Sequence, residues 1–100
     1  MRLDPSWQQA CLALDQRALN GLWTAEQWRR ELDDSRRLCM GLIQSDALLG
    51  VACGWIVADE LHITAVAVDP DRRRSGHGGL LLQALLQRAR QLRAVHATLE

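Results

Sequence analysis

The sequence contains no lysine, no tyrosine and no phenylalanine, and its aromatic side chains are four tryptophans. A P-loop for nucleotides needs a lysine and a hydroxyl residue after its last glycine, so this class of phosphate site is excluded. Long apolar runs are missing too, because the longest falls far short of the roughly 20 residues that cross a bilayer. We therefore expect no transmembrane helix and no membrane partner.

An excess of charge of one sign is also absent, because 12 arginines balance 12 acidic residues. This balance argues against nucleic acid as a partner. The charge is nevertheless uneven along the chain. From Asp69 onward, six arginines against three acidic residues leave a local excess of three positive charges: Arg72, Arg73, Arg74, Arg88, Arg90 and Arg93 against Asp69, Asp71 and Glu100. Such a segment suits an anionic ligand.

Cysteine is scarce, and Cys11, Cys39 and Cys53 are odd in number and lack the spacing of a metal or redox motif. We expect reduced, mostly buried thiols and no metal site. The amino terminus holds Asp4 and Pro5 and no apolar run, so it does not resemble a secretory signal. These features favour a cytoplasmic protein. The 100 residues, 48% of them hydrophobic, predict a single domain over residues 1–100.

The most informative stretch reads as strand, loop and helix. Residues 61–68 alternate, which places Leu61, Ile63, Ala65 and Ala67 on one face of a strand. Both faces are largely apolar, so the strand should be central, and Pro70 should end it. A helix is predicted to begin near Gly78. Its apolar face consists of Leu82, Leu85, Leu86, Ala89 and Leu92.

The loop before this helix carries glycines at 76, 78 and 79 and three successive arginines. Unpaired amides of a first helical turn, together with the helix dipole, attract phosphate. Glycines let a ligand approach those amides closely. A dinucleotide fingerprint fits less well, because position 81 is leucine and seven residues separate Val68 from Gly76. The alternative is a glycine-rich surface turn between two core elements.

The pattern Val68-x-Pro70-x-x-Arg73-x-x-Gly76-x-Gly78 between a strand and an apolar helix resembles the acetyl-coenzyme A signature of the GNAT superfamily of N-acetyltransferases. The resemblance implies that the loop holds the pyrophosphate of acetyl-CoA on backbone amides while the preceding strand pairs with the pantetheine arm. The cofactor-binding residues that it implies are Val66, Ala67, Val68, Arg73, Arg74, Ser75, Gly76, His77, Gly78 and Gly79.

The segment Thr98-Leu99-Glu100 is similar to the fifth strand of the same family, in which a glutamate accepts the proton of the acceptor amine. The resemblance therefore implies Glu100 as the catalytic residue. Without the family, a terminal glutamate is a solvated surface group. His62 invites a catalytic role as well, but packing or a local hydrogen bond is the simpler interpretation.

Two amphipathic helices are predicted before the strands. The first runs from a possible cap at Ser6 to about Leu19, and Asn20-Gly21 breaks the chain after it. The second runs from Ala25 to about Asp33. Thr24 and Gln27 form its capping box, and Trp23 and Trp28 form its hydrophobic staple.

These two helices are similar to the opening of the RimI-type branch, the ribosomal-protein-alanine N-acetyltransferases. In that family the helix pair borders the acceptor site. The tryptophans are explained either as part of this site or as core residues.

Three strands follow with short turns, so an antiparallel meander is expected. The segments are 37–44, then 48–58, then 61–68, with turns at Ser45-Asp46 and Asp59-Glu60. Gly50 and Gly54 inside the second strand indicate a bulge or a close neighbour. After the long helix, residues 95–100 alternate again and predict the start of a parallel fifth strand. The fold class is α/β with a mixed sheet, an incomplete GNAT-like acyl-CoA N-acyltransferase fold.

The sequence departs from the family pattern in several places. It has no tyrosine, which is the family's usual proton donor to the leaving thiolate. The family's cofactor-contacting asparagine, closing helix and last two strands are not recognised, and the first strand is reduced or absent. The expectation is a carboxy-terminally truncated domain whose incomplete sheet favours self-association.

Two functions remain open. The first is acetyl-CoA-dependent acetylation of a protein N-terminal α-amine, in the resembled branch an alanine of a ribosomal protein. The second is a non-catalytic remnant that binds coenzyme A or a partner chain.

Overall fold

The computed structural model describes residues 1–71, 76–92 and 96–99, and of residues 96–99 it describes the backbone alone. Within these residues the chain forms one short 3-10 helix, three α-helices and four strands. In order they are the 3-10 helix Pro5–Trp7, α1 Gln8–Ala18, α2 Ala25–Asp33, β1 Arg37–Gln44, β2 Ala47–Val57, β3 Glu60–Val68, α3 His77–Gln91 and β4 His96–Leu99.

The strands form one mixed sheet in the order β1-β2-β3-β4. The first three strands pair antiparallel, and β4 pairs parallel to β3 from Glu60↔His96 to Ile63↔Leu99. The predicted meander, the central position of β3 and the parallel last strand are therefore confirmed. The strand-helix-strand unit β3-α3-β4 is the crossover that a parallel pair requires.

Two-residue turns connect the three strands of the meander. Ser45 and Asp46 both adopt positive φ, 51° and 64°, as hairpin turns of the right twist require. The second turn differs from its prediction by one residue, because Val57 pairs with Glu60 and leaves Ala58 and Asp59 as the turn. Ala58 accepts a φ of 57°. The prediction of a turn at Asp59-Glu60 was wrong. Aspartate tolerates positive φ better than alanine, so the residue types did not indicate Ala58 as a turn residue.

A β-bulge in β3 sets the faces of the sheet. Cys53 pairs with Ala65 but Gly54 pairs with Ile63, so Thr64 is an extra residue in β3. Leu61 and Ile63 consequently pack in the core under α3, whereas Ala65 and Ala67 pack in the core under α1 and α2. The bulge expected from the strand glycines is confirmed. The prediction that these four residues share one face was wrong, because the extra residue inverts the alternation.

Helix α3 packs closely on the sheet, where a glycine of β2 leaves room for one of its leucines. Leu81, Leu85 and Ala89 are its buried residues. A Cβ on Gly50 would lie 2.5 Å from Leu81 Cδ1, so the glycine is needed for this contact. The sequence prediction omitted Leu81 and included Leu92, which is 44% exposed because the helix ends at Gln91.

The start of α1 differs from the sequence prediction. Asp4, not Ser6, provides the cap: its carboxylate accepts a hydrogen bond from the Ser6 amide at 2.9 Å. Pro5 then begins a 3-10 turn, for which its fixed φ is suited, and α1 follows from Gln8. Serine is a common capping residue, but proline favours the first position of a helix, so the residue before Pro5 is the N-cap.

The predicted capping of α2 is confirmed. Thr24 Oγ1 accepts from the Gln27 amide at 3.2 Å, and Gln27 Oε1 accepts from the Thr24 amide at 2.8 Å. The rings of Trp23 and Trp28 meet edge to face with centroids 4.7 Å apart, which is the predicted staple. Trp28 is fully buried, so this tryptophan belongs to the core.

The first residues of the chain pair with the free edge of β1. The Leu3 amide donates to the Cys39 carbonyl and the Gly41 amide donates to the Met1 carbonyl, both at 2.7 Å. The side chain of Leu3 is buried against Gly41, where a Cβ would lie 2.6 Å from Leu3 Cδ2. The first strand of the resembled fold is thus reduced to these contacts.

The described helices include none that combines the length and the apolar character needed to span a lipid bilayer.

A buried carboxylate holds α1, α2 and their connection together. Asp15 is fully buried and accepts hydrogen bonds from the Leu22 amide at 2.7 Å, the Trp23 amide at 2.9 Å and Trp28 Nε1 at 2.8 Å. The connection between the helices turns sharply at Asn20 and Gly21, with φ of 58° and 80°. Asp15 therefore satisfies the donors that this turn would otherwise leave unpaired.

Substitution Asp15→Asn should lower the free energy of unfolding by about 2–4 kcal/mol, because an amide cannot accept all three hydrogen bonds. Urea unfolding followed by tryptophan fluorescence measures the change. Asp4→Asn is the matched control, since Asp4 also accepts from a backbone amide but is exposed. Its expected loss is below about 1 kcal/mol. Equal losses in the two variants would contradict the assignment of Asp15 as the buried anchor.

Candidate functional site

The amino terminus of α3 presents backbone amides to the loop before it. Gly76 is the N-cap residue with φ of 76°, a left-handed conformation that glycine adopts without strain. The Leu80 amide donates to the Gly76 carbonyl at 3.2 Å and closes the first turn. The amides of Gly78 and Gly79 therefore have no acceptor within the helix. The helix begins one residue before the predicted Gly78.

The three glycines of this turn serve different purposes. Gly76 is required by its backbone conformation, but Gly78 and Gly79 are not. A Cβ on Gly79 would meet nothing within 4 Å, and one on Gly78 would make an ordinary contact of 3.8 Å with Val68 Cγ2. Packing and backbone strain therefore leave the second and third glycines unexplained. A ligand that lies against the amides does explain them, so the residues present fit a bound phosphate group.

The end of β3 lies directly beside these amides. The Asp69 amide donates to the Leu49 carbonyl at 2.7 Å, so the antiparallel alternation turns Ala67 toward β2 and turns the polar groups of Val66 and Val68 to the opposite edge. Strand β4 covers this edge only as far as Ile63. In the described part of the chain, no strand lies beside residues 64–68 on that side. Extended ligands commonly bind such an edge by backbone pairing.

Asp69 fixes the start of the loop that joins the strand to α3. This carboxylate is 9% exposed, accepts from the Asp71 amide at 3.0 Å and pairs with Arg17 of α1 at 3.2 Å. The hydrogen bond within the loop is the local turn that aspartate commonly forms.

The structure brings together part of the predicted set. Val66, Val68, Gly76, His77, Gly78 and Gly79 lie at one end of β3, whereas Ala67 is 2% exposed with its side chain in the core. Arg73, Arg74, Ser75 and Glu100 lie outside the described residues. His62 makes a local contact with Glu60, Nε2 to Oε2 at 3.5 Å, and lies near the Trp55 ring.

A second group of polar residues, which the sequence analysis missed, lies on the other face of the sheet. Glu31 of α2 is 7% exposed. Its Oε2 accepts from Arg37 at 2.9 Å, and its Oε1 accepts from Thr64 Oγ1 of the bulge at 3.4 Å. Burial raises the pKa of the Glu31 carboxyl, and the positive charge of Arg37 opposes that effect only in part. The sequence did offer one signal for this group, because Glu31 lies next to Leu32 on the side of α2 that also carries Trp28.

Arg37 is held from three sides. Besides Glu31, its guanidinium lies 3.6 Å from Asp34 and 4.7 Å from the centroid of the Trp55 ring. Asp34 is also bound by Arg36 through two side-chain hydrogen bonds of 3.2 and 3.1 Å. Arg37 therefore already pairs with two carboxylates, which offset its charge and weaken its attraction for an anionic ligand.

The three cysteines are free and buried, as predicted. Cys39 and Cys53 face each other across β1 and β2, and their sulfurs lie within 4.8 Å of a Glu31 carboxylate oxygen. Burial raises the pKa of Cys11 to about 12 and raises that of Cys53 as well. Because metal ligation needs thiolates and burial favours the neutral thiols of Cys11 and Cys53, we assign these cysteines to the core.

Comparisons with known proteins agree with this arrangement. The sequence model of the acetyltransferase (GNAT) family matches residues 5–100. Among curated proteins, no match to the chain was found. The ribosomal-protein-S18-alanine N-acetyltransferase from Escherichia coli has a similar structure, with a TM-score of 0.90 and 26% identity over 99% of this chain. The match covers 63% of the Escherichia coli chain, so the present sequence spans less than two thirds of that protein's length.

Two further solved structures share the fold at lower identity. An aminoglycoside acetyltransferase from an uncultured soil metagenomic sample, in complex with sisomicin, gives a TM-score of 0.83 at 14% identity, covering 100% of this chain and 74% of that one. The PaiA N-acetyltransferase from Thermoplasma acidophilum, in complex with coenzyme A, gives 0.79 at 14% identity, covering 99% and 76%.

Proposed function

This chain belongs to the GNAT family of acetyltransferases, and from that premise we propose that it transfers an acetyl group from acetyl-CoA to the N-terminal α-amine of a protein. The structural similarity to the ribosomal-protein-S18-alanine N-acetyltransferase, at 26% sequence identity, supports a ribosomal protein as the acceptor. An aminoglycoside acceptor has weaker support, because that neighbour is 14% identical. A ribosomal acceptor would place the protein in the cytoplasm.

The observation that carries the proposal is that the Gly78 and Gly79 amides at the start of α3 lie beside the edge of β3, which in the described part of the chain has no neighbouring strand at residues 64–68. These two amides would bind the pyrophosphate, with the charge of Arg73 and Arg74 nearby in sequence. The outward polar groups of Val66 and Val68 would pair with the amide groups of the pantetheine arm. Acetyl-CoA supplies the activated acetyl group as a thioester.

The chain must also remove a proton from the acceptor. An α-ammonium group has a pKa near 8, so a carboxylate placed beside it is a sufficient base. The family resemblance assigns this task to Glu100. No tyrosine is present to protonate the leaving thiolate. The second candidate is a non-catalytic protein that binds coenzyme A or a partner chain.

An acetyltransferase assay separates the two candidates. The chain is incubated with acetyl-CoA and a peptide that begins with alanine, and the acetylated peptide is measured by mass spectrometry. The catalytic proposal predicts transfer that Glu100→Gln lowers by about 100-fold or more in kcat. Glu26→Gln, on the exposed side of α2, is the control and should leave kcat unchanged. Binding of coenzyme A without transfer would contradict catalysis and support the second candidate.

The coenzyme A site is tested by Gly76→Val. A branched side chain would cover the amides and strain the left-handed backbone, so affinity for coenzyme A should fall at least about tenfold, a loss of about 1.4 kcal/mol in calorimetry. Gly21→Val is the matched control, because Gly21 has a φ of 80° and equally open surroundings in a distant loop. It should suffer the same strain and keep wild-type affinity.

Gly78→Ala tests the same amides without backbone strain. Its backbone needs no glycine and its Cβ has room within the protein, so this variant should fold as well as the wild type but bind coenzyme A more weakly, because the methyl group would lie against the ligand. Equal affinity of Gly76→Val and Gly21→Val for coenzyme A would overturn the assignment of the α3 amides.

A further inference from the structure

A polar groove opens between α2 and the bulge of β3, on the face of the sheet opposite α3. Its volume is about 480 Å³. The residues that line it are Trp23, Gln27, Arg30, Glu31, Asp34, Arg37 and Thr64. Thr64 belongs to this groove because the bulge turns its side chain toward α2.

The position of the groove fits an acceptor, and this step depends on the proposed function. If coenzyme A binds along the outer edge of β3 with its phosphates at α3, the α3 side of the sheet is occupied by that helix and its core. Leu61 and Ile63 fill this side with Leu81 and Leu85. The amine must then approach from the opposite face, where the groove meets the bulge at Thr64.

The charges in the groove favour a cation as the ligand. The charge of Arg37 is offset by Glu31 and Asp34, and Arg30 pairs with Glu26 at 3.5 Å. Among the acidic groups, Asp34 is bound by two arginines. The Glu31 carboxylate accepts two hydrogen bonds of the roughly four that it can accept, and the one from Thr64 is long at 3.4 Å.

The protonation of Glu31 leads to the same conclusion. Burial raises its pKa in spite of the nearby arginine, so the ionised form is not fully compensated by its protein partners. A second positive charge beside the Glu31 carboxylate would stabilise its ionised form, as water does for an exposed carboxylate. A primary ammonium group is small enough for the groove and donates three hydrogen bonds.

We propose that Glu31, oriented by Thr64, is a specificity-determining residue that binds the positively charged amino group of the acceptor in this groove. Glu31 would select acceptors with a free amine and position the amine beside the bulge. Removal of the proton would remain with the base of the proposed reaction, so the two glutamates have separable effects.

The test is binding of a short peptide that begins with alanine and carries no charge except its α-ammonium. Its affinity is compared with that of the same peptide acetylated at the N-terminus, by calorimetry with coenzyme A in excess. The wild-type chain should bind the free amine at least about tenfold more tightly, as expected for a hydrogen bond between charged groups. Glu31→Gln should abolish this preference.

Two variants complete the test. Asp34→Asn removes a negative charge from the same groove but leaves both hydrogen bonds of the Glu31 carboxylate in place, and it should keep the preference. Thr64→Val removes the hydrogen bond to Glu31 without removing charge, and it should weaken free-amine binding several-fold. If Glu31→Gln does not fold, as judged by circular dichroism, Thr64→Val decides alone. Wild-type affinity in Thr64→Val would then overturn the inference.

The inference and the proposed function fail separately. Equal binding of the free and acetylated peptides by the wild type, or an unchanged preference in Glu31→Gln, overturns the groove assignment whether or not acetyl transfer occurs. A preference that depends on Glu31 supports the groove even in a chain that shows no transfer, because peptide binding is measured directly.

Discussion

The arrangement of this molecule depends on one extra residue in its central strand. Thr64 interrupts the register between β2 and β3, so the residues before and after it exchange faces. Before the bulge, β3 packs under α3 and pairs with β4. After the bulge, Ala65 and Ala67 turn toward α1 and α2, whereas Val68 packs in the core under α3. Thr64 also brings a hydroxyl to Glu31, and it directly follows Ile63, the last residue of β3 that pairs with the described part of β4.

Around this strand, buried polar groups hold the helices in defined positions. Asp15 fixes the connection between α1 and α2 through three donors, and Asp69 ties α1 to the end of β3 through Arg17. Burying a carboxylate is unfavourable unless its oxygens accept hydrogen bonds or pair with a positive charge. The carboxylates of Asp15 and Asp69 both meet this condition. The surroundings of β3 thus differ from side to side, with an edge of backbone groups beside the start of α3 and a polar groove beside α2.

Local signals in the sequence predicted the elements well. The capping box of Thr24 and Gln27, the break at Asn20-Gly21 and the strand 37–44 depend on near neighbours, and all appear as expected. Errors arose where the outcome depends on distant contacts. The bulge was expected from Gly54, but its extra residue lies in the opposite strand, so the sequence pattern alone gave the wrong face for Ala65 and Ala67.

The start of α3 near its glycines could be predicted because glycine spacing and a helix start are local features. The groove at Glu31 could not, because it needs α2, β1 and the bulge to meet, and Glu31 lies 33 positions from Thr64. Cys39 and Cys53 illustrate the same limit, since the register of two strands and not their spacing brings them together.

The most direct measurement of the central claim is amide hydrogen exchange at single-residue resolution with and without coenzyme A. The amides of Gly78 and Gly79 lack helical acceptors, so they should exchange rapidly in the free chain and slow markedly when the ligand is added. The amides of Val66 and Val68 should slow with them, while those at the start of α1 should not change. Protection at another part of the surface, or none at millimolar coenzyme A, would contradict the account.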